Sequence, residues 1–289
     1  MRTRSPYLLA TLLLGGLLAH SATASGAAPE WITKVGPATA EAKRSGRPIL
    51  VDLYASWCGW CKELDRQVYS TPRFQEYARK FVLLRVDTED GGEGSALDAR
   101  FEVESLPTTL VLSSDLMLIG KVEGFAPTEE YLGMIEAQLK DFLDYETKAQ
   151  AALAGKDTAV QRSAAAEAHM RGDGKTAAAL YRKLAVSGSV PPDIAGALQY
   201  MLADALRLAK DWDGAKTALN RATAEAERLH DADLLERSQM LAWNVAEDSG
   251  DCRGAKERVE RFLRDHPQST LVGRAKRALS ELDKSAQCT

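Results

Sequence analysis

Ile49-Leu50-Val51-Asp52-Leu53-Tyr54, followed by Ala55-Ser56-Trp57-Cys58-Gly59-Trp60-Cys61-Lys62, decides how the first half of this chain is built. The first six residues form a nearly continuous apolar run with one acid inside it. Such a run fits a strand buried on both faces, as in a sheet covered by helices on each side. The two cysteines follow with two residues between them, where the chain leaves the strand and a helical stretch begins, predicted over 59–69. On the first turn of a helix that spacing brings both sulfurs within bonding reach.

The position of Cys58 gives the pair its chemistry. Unpaired backbone N–H groups and the positive end of the helix dipole stabilise a thiolate there. Cys58 is therefore the expected attacking sulfur, and Cys61, deeper in the helix, the thiol that resolves the mixed disulfide. A zinc site needs four ligands, and no second CxxC or histidine pair lies nearby; the histidines stand apart at 20, 169, 230 and 266. Asp52 is the one acid in the buried run. Burial raises a carboxyl's pKa, so Asp52 is expected to take the proton from Cys61. Leu106-Pro107-Thr108 opens a later strand, where a proline suits a cis peptide that would bring its backbone beside the sulfurs. Asp65, four residues after Cys61, falls on the same helix face and is a candidate second carboxylate. The other readings are a strand-edge acid, a trans proline and a solvated acid.

Outward from this segment, a helix is predicted over 37–44, a second after the cysteine helix over 72–80, and a short one over 95–102. Strands are predicted over 81–86, 108–112 and 117–122, the last two separated by the turn Ser113-Ser114-Asp115. A helix follows from 130 to 143 behind the N-cap Thr128. The order is βαβαββα, leaving out a short first strand near 31–35. It fits a central sheet flanked by helices.

On Val51-Asp52-Leu53-Tyr54-Ala55, Trp57-Cys58-Gly59-Trp60-Cys61-Lys62 and Leu106-Pro107-Thr108, residues 48–142 resemble the thioredoxin family. Cys61-Lys62-Glu63-Leu64-Asp65 and Tyr69-Ser70-Thr71-Pro72 are similar to the C-terminal periplasmic domain of DsbD-type thiol:disulfide interchange proteins. The resemblance implies a thioredoxin fold, dithiol–disulfide exchange with protein substrates and no bound cofactor or metal. It implies Cys58 as nucleophile, Cys61 as resolving thiol, paired acids at Asp52 and Asp65, and a cis-proline at Pro107. Trp57, Gly59, Trp60 and Leu106, around the sulfurs, are the expected substrate contacts. Two departures stand out: Gly-Trp replaces Gly-Pro between the cysteines, and Leu83 stands where many thioredoxins carry a lysine paired with the buried acid.

From about residue 145 the strand signals stop, alanine becomes abundant and helical periodicity takes over. Ile194, Ala197, Leu198, Met201, Leu202, Ala205 and Leu206 form one apolar stripe, as do Leu271, Ala275, Ala278, Leu279 and Leu282. Ala177, Ala215 and Ala255 recur 38 and 40 residues apart. Four residues on come Tyr181, Leu219 and Val259, and seven on come Leu184, Ala222 and Phe262. A small residue at a helix crossing with larger ones one and two turns later is what stacked helix pairs require. The segment resembles tetratricopeptide repeats, although the consensus aromatic positions of the first helix are mostly missing. The expected architecture is thus an α/β thioredoxin-like domain over 25–145 and an all-α helical-repeat domain over 146–289. Cys252 and Cys288 bracket the last two predicted helices, 252–265 and 268–286. A structural disulfide there would staple the array's end, contributing ~3–4 kcal/mol in the chain-entropy model. The other reading is a second exchange-active pair.

Arg2 and Arg4, the apolar run Leu8–Ala19 and Ala22-Thr23-Ala24 read as a signal peptide over 1–24, cut after Ala24. The run is short for a membrane-spanning helix. Cleavage takes the formal charge from −4 to −6, which argues against nucleic acid as the main partner. The expected location is periplasmic or secreted, where disulfides persist. The expected partners are disulfide-containing or dithiol exported proteins and a separate redox partner. Two function classes emerge: a thiol–disulfide oxidoreductase, with protein-disulfide reduction as the leading direction, and an envelope scaffold whose repeats are the main function.

Overall fold

The computed structural model of the protein describes residues 30–188 and 190–284. The expected signal peptide and Cys288 lie outside the described residues.

Five strands form one sheet in the order β1-β3-β2-β4-β5: β1 (Trp31–Ile32), β2 (Ile49–Tyr54), β3 (Val82–Asp87), β4 (Thr108–Leu112) and β5 (Leu118–Glu123). β1 and β2 both pair parallel with β3, whereas β4 runs antiparallel to β2 and β5. The period-2 alternation of β2 and β3 explains the two cores. Ile49, Val51, Leu53, Leu84 and Val86 point to one face with Ala38 and Ala42 of α1 (Val35–Ser45) and Leu97 of α4 (Glu93–Arg100). Leu50 and Leu83 point to the other, against Leu64 of α2 (Gly59–Leu64), Phe74 of α3 (Pro72–Tyr77) and Tyr131, Leu132 and Ile135 of α5 (Thr128–Ala154). Asp52 and Arg85 fall on this second face by the same alternation. After α2 the helix widens: the Ser70 N–H bonds the Asp65 carbonyl at 3.0 Å, a π-type turn over Asp65–Tyr69. The Thr71 hydroxyl then caps α3, with Pro72 in its first turn.

α5 extends well beyond the predicted 130–143. Its first half is buried in the α/β core, and its second half places Tyr145, Ala149 and Ala152 in the helical core. One rigid element thus serves both hydrophobic clusters, and the expected boundary at 145/146 falls inside it. The helical part continues through α6 (Thr158–Met170), α7 (Gly174–Val186), α8 (Ala195–Leu208), α9 (Trp212–Leu229), α10 (Ala232–Asp248), α11 (Cys252–Asp265) and α12 (Val272–Lys284). Each helix packs on its neighbour in sequence. The junction is also tied directly. The Leu118 N–H on the sheet-edge strand β5 donates to the Arg171 carbonyl at 2.7 Å, and the Arg171 guanidinium donates to the Ile119 carbonyl. These bonds cover part of an otherwise open edge.

The nine positions spaced 38 and 40 residues apart are all buried, on α7, α9 and α11. The turns before these helices recur at the same spacing. Gly172, Lys210 and Gly250 adopt φ of 75°, 61° and 77°. Asp173, Asp211 and Asp251 follow, each accepting a backbone N–H from the helix it starts. The N–H of each aspartate returns to a carbonyl of the preceding helix, as in a Schellman motif. Glycine adopts this left-handed backbone without steric cost; lysine does not. Lys210→Gly should therefore stabilise the protein by about 1 kcal/mol, read as a higher urea midpoint at unchanged slope. A lower midpoint would contradict this reading of the turn.

Candidate functional site

β2 ends at Tyr54, and the chain turns through 55–57 so that Cys58 becomes the N-cap of α2. Cys58 and Cys61 form a disulfide with Sγ atoms 2.08 Å and Cα atoms 5.3 Å apart. The backbone N–H of Cys61 donates to the Cys58 Sγ at 3.0 Å. The dipole argument thus takes a concrete form: an unpaired N–H of the first turn is aimed at this sulfur. Both cysteines are buried in a small cluster with Ala55, against Tyr54 and Leu106. The Leu106–Pro107 peptide is cis. Trp57 and Trp60 flank the disulfide and stay about two-thirds exposed, and Trp60 stacks on Phe125 at 5.6 Å. Gly59 opens α2 in open space, so nothing steric demands glycine there.

Asp52 and Asp65 meet at Arg85, which the sequence reading did not single out. In the β2–β3 register Asp52 is opposite Arg85. Arg85 Nε is 3.1 Å from Asp52 Oδ2, and its two terminal nitrogens donate to Asp65 at 2.7 and 2.8 Å. Leu83 lies in the apolar core, and the cation facing the buried acid stands two residues later, at Arg85. The strand period could have found it, since positions two apart share a face.

Asp52 is 1% exposed. Burial is the largest influence and pushes its carboxyl up to about 7; the Arg85 charge pulls it down, the Asp65 charge pushes it up, and a hydrogen bond from Tyr69 pulls it down. Arg85 is held above its ordinary value. Burial alone would lower it, but the hydrogen bonds to Asp65 and the two carboxylate charges outweigh that. The Tyr69 hydroxyl donates to Asp52 Oδ1 at 3.2 Å and lies 3.1 Å from Thr109 Oγ1, which in turn bonds the Tyr131 hydroxyl. Burial raises both tyrosines, so both stay neutral and Tyr69 remains a donor to the acid. Tyr69, Thr109, Tyr131 and Phe125 were likewise given no role at the site, although Tyr69 stands in the motif that carries the resemblance.

Residues 30–114 match the Thioredoxin-like family model. This part of the chain is a thioredoxin-like domain. Over 110 residues the chain is 32% identical to a thiol:disulfide interchange protein DsbD of Ralstonia nicotianae, covering 37% of this chain and 18% of that protein. Over 85 residues it is 36% identical to a DsbD of Klebsiella pneumoniae, covering 29% and 14%. The chain thus spans less than a fifth of the length of these relatives. Among solved structures, a DsbH oxidoreductase aligns at 19% identity and TM-score 0.37, covering 44% of this chain and 94% of that one. The oxidised DsbD C-terminal domain of Neisseria meningitidis aligns at 19% and 0.34, covering 38% and 99%.

Cys252, the first residue of α11, is disulfide-bonded and belongs to the helical part, not to the thioredoxin-like site. Its expected partner, Cys288, lies outside the described residues. Among the described residues no group of three or more His, Cys, Asp or Glu side chains is arranged to hold a metal ion.

The buried acid carries a pH signature. The unfolded chain loses this proton near the ordinary Asp value of ~3.9, whereas the folded protein keeps it until about 7. Between those values the folded state binds more protons, so the stability of this site falls as pH rises and levels off above 7. Asp52→Asn should therefore be more stable than the wild type by roughly 2–4 kcal/mol at pH 8, with the gain vanishing below about pH 4. Denaturant unfolding across pH measures it. A gain independent of pH would contradict the assigned ionisation.

Proposed function

We propose that the protein is an exported thiol–disulfide oxidoreductase that acts on disulfides of other proteins through Cys58 and Cys61. The observation that carries this reading is the Cys58–Cys61 disulfide at the start of α2, with the Cys61 N–H directed at the Cys58 sulfur. The supporting observations are the buried Asp52 with its Arg85 partner, the cis Leu106–Pro107 peptide against the cysteines, and the exposed Trp57 and Trp60.

In the reducing direction the Cys58 thiolate attacks one sulfur of a substrate disulfide. A Cys58–substrate bond forms, the substrate S–S bond breaks, and one substrate thiolate leaves and takes a proton from water. The Asp52 carboxylate accepts the Cys61 proton. The Cys61 thiolate then attacks the Cys58 sulfur and expels the second substrate thiolate, which Asp52 or water protonates. Two electrons pass from the dithiol to the substrate, leaving the enzyme as the disulfide of this structure. A separate dithiol protein must reduce it for another cycle. Pro107 and Leu106 border the sulfurs, and Trp57, Gly59 and Trp60 offer a contact surface to the substrate chain. Asp65 acts through Arg85, holding it against Asp52.

The helical part reads as a tetratricopeptide-like array that recognises the partner, supported by the recurring buried positions and capped turns of α6–α11. No helix among the described residues is long and apolar enough to cross a membrane. The periplasmic or secreted location rests on the N-terminal signal reading. The bridge at Cys252 is read as a structural one to Cys288.

Pre-reduced protein should reduce insulin disulfides well above the uncatalysed rate. Cys58→Ser should fall to background, and Cys61→Ala should accumulate a mixed disulfide on Cys58 seen by intact mass. Wild-type protein that reduces no protein disulfide, or a mixed disulfide on Cys61 instead, would overturn the assignment.

A further inference from the structure

A cleft of about 870 Å³ lies where α4 of the thioredoxin-like domain faces α6, α8, α10 and the start of α12. Its size is within the range of ligand sites, and both halves of the chain contribute walls. Four arginines line it: Arg100, Arg207, Arg274 and Arg277, with Asp204, Glu247 and Asp248. The charges are unequally engaged. Arg207 pairs with Asp204 at 2.7 Å and Asp248 at 2.6 Å, and Asp204 also bonds His169 Nε2 at 2.8 Å. One guanidinium thus faces two carboxylates within the wall. Glu247 accepts the Trp243 indole N–H.

The other three arginines have no carboxylate within 4 Å among the described residues. Arg100 donates to the Leu116 carbonyl, and Arg274 lies over the Trp243 ring at 5.7 Å. Burial above all, and the positive charge of Arg207, hold Arg100 below its ordinary value, against the opposing pull of Asp248. Arg100, Arg274 and Arg277 thus line the cleft without a direct ion pair, although Asp204, Glu247 and Asp248 share its wall. His169 adds a buried Nδ1 atom with no hydrogen-bond partner in the lining. Planar guanidinium groups that leave their forks open match carboxylates in geometry and charge.

The arginine end of the cleft lies away from the redox site: Arg100 reaches the β4–β5 turn, beyond the Leu112–Ile49 pairing, whereas Cys58 follows the Tyr54 end of β2. Phe101 is in the cleft wall, and Leu106, five residues further on, packs against Cys58 and Cys61. Five residues span at most about 18 Å. A peptide held by the arginines needs on the order of ten or more residues to bring a cysteine to Cys58.

We propose that this cleft binds an acidic, Asp/Glu-rich segment of the protein substrate and so selects which disulfides reach Cys58. This rests on the oxidoreductase reading for its purpose but not for its binding chemistry. Arg100, Arg274 and Arg277 supply the charge, and the apolar Phe101 and Met170 border the segment.

The test uses the full, oxidised protein and fluorescent peptides without cysteine: one glutamate-rich, one uncharged and one lysine-rich. The glutamate-rich peptide should bind, more weakly at higher salt. Arg274→Glu with Arg277→Glu should weaken it about tenfold or more, with the helical circular dichroism retained. Arg277→Gln alone, at an exposed position, should weaken it by a smaller factor and serves if the double variant misfolds. Equal binding of the three peptides, no effect of either variant, or equal affinity for an oligothymidylate would overturn the proposal. A second arm compares reduction of disulfide-linked peptides with and without an acidic tract. The acidic substrate should show the higher kcat/KM, and equal values would remove the cleft from substrate selection. If neither peptide is reduced, the oxidoreductase reading fails, while the binding arm still decides the cleft.

Discussion

One hydrogen bond organises the chemistry of this protein: the backbone N–H of Cys61 pointing at the sulfur of Cys58. It exists because a buried strand ends just before a helix begins, so the cap position falls on a cysteine. A sulfur there sits against unpaired N–H groups and the positive end of the helix, both of which favour thiolate over thiol. The sheet fixes the geometry. β2 lies between β3 and β4 and is buried on both faces, so the strand that delivers Cys58 has little freedom to shift.

The same strand carries the buried acid. Asp52 is placed by alternation on the face of α2 and α5, and it is kept from full isolation by Arg85 and Tyr69. Arg85 binds Asp65 with two short hydrogen bonds and Asp52 with a single contact, so the partly buried pair holds the guanidinium where the buried acid needs it. Desolvation still outweighs the attraction, which leaves Asp52 able to exchange a proton near neutral pH. A stronger partner would fix the acid as a carboxylate, and none at all would keep it protonated. Its intermediate state suits a group that must take up and release protons.

The α/β half was legible because its signals are local. The apolar run 49–54 coincides with β2, and the cysteine spacing, the Leu106-Pro107 strand start and the hairpin residues each act within a few positions. Arg85 was not found because its role depends on strand register, which joins residues 33 positions apart; matching the family's lysine by sequence placed it at Leu83 instead. α5 was read too short because its apolar face changes partner midway, from the sheet to small residues of the helical core. The recurrence was visible in the buried residues and in the breaks near 172, 211 and 250, but not in the shared turn backbone, since Lys210 stands in a place that glycine fills at 172 and 250. The arginine-lined cleft could not be read at all, since Arg100 meets residues up to 277 only through the packing of two halves around one shared helix.

The most direct measurement is the titration of Cys58 in the reduced protein, followed by thiolate absorbance near 240 nm, with Cys58→Ser as the reference that isolates its contribution. The account predicts a thiol well below the ordinary value of ~8.5, because the N–H groups of α2 stabilise its anion. A Cys58 that titrates at or above that value would contradict it.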